Sequence, residues 1–195
     1  MTISGHCHPD FAAIRPMFAR LWDGIEVGAA LSVYWQGECV VDLWGGHQDK
    51  DRSQPWQRQT LVNAYSITKG VVALAIARLV ADGDLNYQDK VSEYWPEFGQ
   101  NGKREITVAQ LLSHQAGLCG VNTRLDVTDL FDWQKMTHLL EAQSPLWDPG
   151  TAAGYHAVPW GYLAGALIYR VTGESVGGFI HRTMAEPLGL NFYLG

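Results

Sequence analysis

The chain is poor in what nucleic-acid and membrane proteins need. Of its 195 residues only 14 are Lys or Arg against 20 Asp or Glu, a net charge of −6, and no basic cluster occurs. That balance argues against a nucleic-acid or anionic-membrane surface and favours a small or uncharged partner. Long hydrophobic runs are missing too. The longest, near residues 71–77, is stopped by Arg78, far short of the roughly 20 residues that span a bilayer. Residues 1–10 hold no basic region leading into an apolar one, so they do not read as a secretory signal. Cysteine is scarce: Cys7, Cys39 and Cys119 are odd in number and widely spaced, which fits free thiols in a reducing compartment rather than a disulfide frame. A cytoplasmic protein without a membrane span is expected. His6, Cys7 and His8 are adjacent at a chain end and cannot close a tetrahedral site alone, so no metal is expected there.

What is present is core-forming material. With 47% hydrophobic residues, 17% charged and eight tryptophans, the chain is long enough for one sizeable core. Segments 27–35 and 38–44 are rich in β-branched and aromatic residues around Gln36-Gly37, which predicts a hairpin with a tight turn. Segment 11–22 has helical spacing that Pro16 interrupts unless it falls in a first turn. Residues 45–55 read as a loop and 60–64 as a short strand. A helix follows that is apolar on almost every side up to Arg78 and stops at Asp82-Gly83-Asp84. Its composition predicts a helix buried in the middle of the domain. Beyond Leu85 short helices are expected. One is capped by Thr107 and runs to His114, another is capped by Thr128 or Asp129 and runs to Glu141, and two more cover 158–171 and 174–184. Strands first and helices after is an α+β pattern. The domain divides into 1–84, with the strands and first long helix, and a mostly helical 85–195.

The stretch Ala64-Tyr65-Ser66-Ile67-Thr68-Lys69-Gly70 stands at the head of that apolar helix. If the helix begins near Ser66, then Ser66 and Lys69 share a face three residues apart. A serine hydroxyl is a weak nucleophile until a base takes its proton, and a lysine whose ammonium is destabilised is such a base. The helix N-terminus also favours charge developing on an attacked carbonyl oxygen. Taken alone the spacing is weak, since a chain of this length holds roughly one SxxK by chance.

Other segments strengthen it by their order. Leu79-Val80-Ala81-Asp82-Gly83-Asp84-Leu85 and Val91-Ser92-Glu93-Tyr94-Trp95-Pro96 follow the helix start, then Leu111-Leu112-Ser113-His114-Gln115-Ala116-Gly117-Leu118, then Trp147-Asp148-Pro149-Gly150-Thr151, then Tyr155-His156-Ala157. This series resembles the serine β-lactamase and penicillin-binding-protein superfamily, in its class C-like branch with the family VIII carboxylesterases, over about residues 27–195. The resemblance implies a β-lactamase-like (DD-peptidase-like) fold, an antiparallel sheet flanked by helices with a helical subdomain. It also implies Ser66 as acylated nucleophile, Lys69 as its base partner and Tyr155 as the hydroxyl that passes the proton to the leaving group, with no cofactor or metal.

The sequence departs from the family pattern in two places. Where the β-lactamases of this branch carry an Asn two residues after the tyrosine, this chain has Ala157, which leaves room for an acyl or alcohol group. His156 beside it is either a second polar substrate contact or a packed neighbour. The late Lys-Thr-Gly or His-x-Gly box has no match, and Arg170-Val171-Thr172-Gly173 belongs to a helix end. The segments therefore match an N-terminal portion of the family, its closing strands absent. The function implied is a serine hydrolase of short-chain carboxylic esters acting through an acyl-enzyme. The alternatives are a β-lactamase, a DD-peptidase-like protein or a non-hydrolytic penicillin-recognising module. An ester or β-lactam is the expected partner.

Overall fold

A computed structural model describes residues 2–24 and 26–195. The chain divides into two compact units, Met1–Asn63 and Ala64–Gly195.

The first unit is a three-stranded antiparallel sheet of order β1-β3-β2, made of β1 (Ile3–Cys7), β2 (Gly28–Trp35) and β3 (Glu38–Gly46). Gln36 and Gly37 close the β2–β3 hairpin with φ of 52° and 85°, the left-handed pair that a two-residue turn needs to match strand twist. The central strand β3 buries Val40, Val41 and Leu43, and Phe18 of helix α1 (Ile14–Ala19) packs with them. Pro16 is the third residue of α1, inside the first turn, where its missing N–H costs no helical bond. The rest of segment 11–22 is split between α1 and single 3₁₀ turns at Pro9–Phe11 and Arg20–Asp23. Strand β1 was not expected, because Ser4, Gly5 and His6 lack strand character. Pairing with β3 carries it, aided by Arg15, whose guanidinium donates to the Ile3 and Gly5 carbonyls at 3.2 and 2.7 Å.

The second unit is helical: α2 (Ile67–Asp82), α3 (Val91–Tyr94), α4 (Val108–Leu112), α5 (Trp133–Ala142), α6 (Pro159–Thr172), α7 (Val176–Ile180) and α8 (Glu186–Leu188), the last two joined by a π-turn at His181–Ala185. Residues 60–64 form no strand, and they run straight into the turn before α2. The enclosed helix is α6, with eight of its residues buried, whereas α2 buries only Val72, Ala75, Ile76 and Leu79 and leaves Ile67 75% and Leu74 59% exposed. The expectation that α2 is buried all round is thus corrected: only one of its apolar faces is covered. Gly83 closes α2 in the left-handed conformation (φ 83°). Thr107 caps α4 through a reciprocal bond with Gln110. The helix toward Glu141 starts later than expected. A 3₁₀ turn occupies Val127–Phe131, and Asp132 caps α5 by accepting from the Lys135 N–H.

The far end of α5 is held from below. Lys103, fully buried, donates from Nζ to the Glu141 and Gln143 carbonyls at 2.8 and 2.6 Å, and Asn101 Nδ2 donates to the Ala142 carbonyl at 2.8 Å. These satisfy carbonyls that a helix end otherwise leaves without partners. Among the described residues no helix is long and apolar enough to cross a membrane, and no group of three or more His, Cys, Asp or Glu is placed to hold a metal.

Candidate active site

Ser66 stands at the N-cap of α2, but its side chain does no capping. The Lys69 amide that a capping serine would engage bonds instead to the Ser66 carbonyl at 3.1 Å. The hydroxyl is therefore left for other partners. Before it, Tyr65 takes φ of 44°, a left-handed conformation that costs a non-glycine residue about 1–3 kcal/mol. This sharp entry turns the chain directly from the 60–64 segment into the helix.

Two side chains converge on the Ser66 hydroxyl. Lys69 Nζ donates to Ser66 Oγ at 3.3 Å from one turn along α2, and the Tyr155 hydroxyl, 89 residues away, donates to the same oxygen at 2.7 Å. Lys69 also donates to the Ala157 carbonyl at 2.8 Å and lies 5.1 Å from the centre of the Tyr155 ring. Hydrogen bonding with Ser66 first, and then with Lys69, holds the Tyr155 phenol below its ordinary pKa. Ser66, Lys69 and Tyr155 thus come together as expected from their order in the chain.

His156 is buried, and Ala157 lies on the wall of a cleft. The His156 side chain is fully buried behind the tyrosine, with Nε2 accepting from the Leu118 N–H at 2.9 Å and Nδ1 on the Gly154 carbonyl at 2.5 Å. Both ring nitrogens are engaged within the protein, which is the geometry of a packed neighbour. Burial foremost, and the nearby His114, keep its pKa below that of a free imidazole. Ala157 is exposed beside the site, and its main-chain oxygen anchors Lys69. Any residue carries that carbonyl, so no sequence signal could have found it.

Two turns and the start of α6 hold the segment that carries Tyr155. In the turn after α4, His114 takes φ of 65°, and its carbonyl accepts from the Gly154 N–H at 3.1 Å. The Gly117 carbonyl accepts from Leu146 at 2.8 Å and the Gln115 carbonyl from Gly150 at 3.0 Å. The turn at 147–151 is closed by Thr151, whose N–H and hydroxyl both donate to the Asp148 carbonyl. Trp160 at the start of α6 donates from its indole to the Leu112 carbonyl at 3.0 Å.

Lys69 and Ala157 also line a cleft of about 530 Å³, together with residues that include Leu130, Phe131, Trp133, Val158 and Tyr162. Its walls are largely apolar. The aromatic residues at 131 and 133 were visible in the sequence but fell in a stretch read only as a helix start.

The esterase/beta-lactamase LipL of Mycobacterium tuberculosis is 38% identical over 187 residues, covering 95% of this chain and 43% of that protein. The esterase EstB of Burkholderia gladioli is 28% identical, covering 84% and 46%. The crystal structure of a family VIII carboxylesterase superposes with a TM-score of 0.90 at 48% identity, over 97% of this chain and 52% of the other. A penicillin-binding protein homologue from Caulobacter crescentus superposes with a TM-score of 0.95 at 45% identity, over 100% and 53%. The chain spans less than half the length of these two curated relatives. Its fold is β-lactamase-like, and since residues 14–192 match the sequence pattern that defines that family, the chain belongs to the beta-lactamase family.

Proposed function

We infer that Ser66 is the nucleophile of a serine hydrolase that cleaves carboxylic esters of short acyl chains through an acyl-enzyme. The observation that carries this reading is the convergence of Tyr155 Oη and Lys69 Nζ on Ser66 Oγ, one from 89 residues away and one from the same helical turn. The Ser66 oxygen attacks the ester carbonyl while its proton passes to the Tyr155–Lys69 pair. Lowering of the Tyr155 pKa brings the phenolate that takes this proton within reach. The tetrahedral intermediate collapses as the alcohol leaves with a proton from Tyr155, and water then attacks the acyl-serine by the reverse proton path. The amides of Ile67, Thr68 and Lys69 are bonded back to the carbonyls of residues 64–66, and among the described residues the Ser66 amide makes no turn bond of this kind. It supplies one oxyanion donor at the head of α2.

A mostly apolar cleft suits an apolar acyl group better than a charged one. The free thiols Cys7, Cys39 and Cys119 support a reducing, cytoplasmic setting. Neither metal nor cofactor enters the scheme. A fluorophosphonate probe tests the nucleophile: labelling at Ser66 in the parent and none in Ser66→Ala is expected, with nitrophenyl butyrate hydrolysis lost in the variant. Continued release of nitrophenol by Ser66→Ala above background would show the nucleophile to lie elsewhere. The likeness to a penicillin-binding protein homologue favours one second reading, slow acylation by β-lactams. Stable labelling of Ser66 by a fluorescent penicillin with no ester turnover would select it.

A further inference from the structure

His114 has no role in the reaction above, yet it grips the chain on both sides of the tyrosine. Its carbonyl accepts from the N–H of Gly154, the residue before Tyr155, and its ring Nδ1 accepts from the N–H of His156, the residue after, each at 3.1 Å. Between those two bonds the imidazole lies 4.9 Å from the Tyr155 ring, with planes at 60°. One residue thus fixes the peptide on either side of Tyr155 and also backs its ring.

Both bonds depend on unusual features of position 114. The left-handed backbone (φ 65°) lets the carbonyl and the side chain of one residue address the same segment. The Nδ1 contact requires a lone pair, so the ring must be neutral with its proton on Nε2. Burial first, and the positive charge of Lys69 second, hold the His114 pKa below that of a free imidazole and so favour that form. His156 completes the frame by accepting from Leu118 N–H, which ties the far side of the segment to the same turn. Tyr155 itself is 54% exposed, so packing alone does little to fix its hydroxyl.

We propose that His114 is a positioning residue for Tyr155, whose two-sided grip on residues 154 and 156 sets the phenol against the Ser66 hydroxyl. This rests on the hydrolase reading for its effect on rate, but not for its effect on the tyrosine. Misplacing a reacting group by about 1 Å costs on the order of 100-fold in rate.

Two variants separate the acceptor from the backbone. Asparagine tolerates the left-handed conformation and carries Oδ1 where histidine carries Nδ1, whereas glycine allows the backbone and removes the acceptor. His114→Gly is expected to lower kcat by about 100-fold with KM changed less than about threefold, and His114→Asn to restore most of kcat. A readout independent of turnover is the titration of the Tyr155 phenol, followed by ¹³Cζ resonances of labelled tyrosine and assigned by its loss in Tyr155→Phe. It is expected below the ordinary phenol value in the parent and in His114→Asn, and back at that value in His114→Gly. If the glycine variant does not fold, His114→Gln takes its place, because its acceptor sits one methylene too far out. Tyrosine titration alike in all three proteins, or equal kcat in the Asn variant and the acceptor-less one, would overturn the assignment. A parent that neither hydrolyses esters nor labels at Ser66 sinks the hydrolase reading instead, and the tyrosine titration still decides the role of His114.

Discussion

Tyr155→Phe keeps the ring beside His114 and removes only the oxygen that reaches Ser66. Its kcat on nitrophenyl butyrate is expected to fall by about 10²- to 10⁴-fold, while the thermal midpoint stays within a degree or two because the hydroxyl is at an exposed site. Ala157→Asn addresses a different step. It places an amide at the cleft edge without disturbing the main-chain carbonyl that holds Lys69, so the ratio of chromogenic cephalosporin to nitrophenyl butyrate turnover is expected to rise. An unchanged or lower ratio would show that position 157 does not choose between the two substrates. The histidines add a pH dependence. His114 and His156 both resist protonation in the folded state, mainly through burial, whereas the unfolded chain takes the proton near pH 6.5. Stability conferred by these neutral rings is complete above that value and is lost as pH falls through the lower folded pKa values. Thermal scans from pH 7 to 5 should show a falling midpoint, and His114→Asn should flatten the fall. At this scale the legible residues were those with distinctive side chains in ordered motifs: Ser66, Lys69 and Tyr155. The carbonyl of Ala157 and the double grip of His114 were not legible, since both depend on backbone placement fixed by distant turns.

Among the elements, α5 makes the sharpest prediction. Lys103 is buried against the carbonyls at its C-terminal end, with its pKa brought down to about 8 by burial, partly opposed by Glu141. Lys103→Met leaves the Glu141 and Gln143 carbonyls without that donor and is expected to cost about 1–3 kcal/mol in denaturant unfolding. The folded lysine sheds its proton at lower pH than the unfolded one, so this group adds stability as pH rises from about 8 toward 10.5. Comparing parent and Lys103→Met between pH 8 and 10 isolates that rise, and it should be absent from the variant. Sequence pattern found the β2–β3 hairpin and the Thr107 cap because each is encoded by neighbours: a Gln-Gly turn and a Thr-x-x-Gln box. It missed β1, whose polar residues owe their strand to β3, and it misread 60–64. It also named α2 rather than α6 as the enclosed helix, since composition tells that a helix is apolar but not which of its faces finds a partner.

For the molecule as a whole, the apolar residues left uncovered on α2, Ile67 and Leu74, form a surface that water disfavours. The outer edge of β2, which pairs with no further strand among the described residues and leaves Tyr34 and Trp35 exposed at its end, is a second one. The 195-residue chain is therefore expected to self-associate at micromolar concentration in light scattering, and Leu74→Glu to reduce that association. Scattering identical in the two proteins would show that the α2 face takes no part. The separation of Ser66 from Tyr155 by 89 positions also has a meaning in time. A ribosome adding about 5–20 residues per second delivers the tyrosine about 4 to 18 s after the serine. For that interval the nascent chain holds Ser66 without the hydroxyl that bonds to it, so under the proposed mechanism an unfinished polypeptide is chemically quiet until the segment at 154–156 has been made.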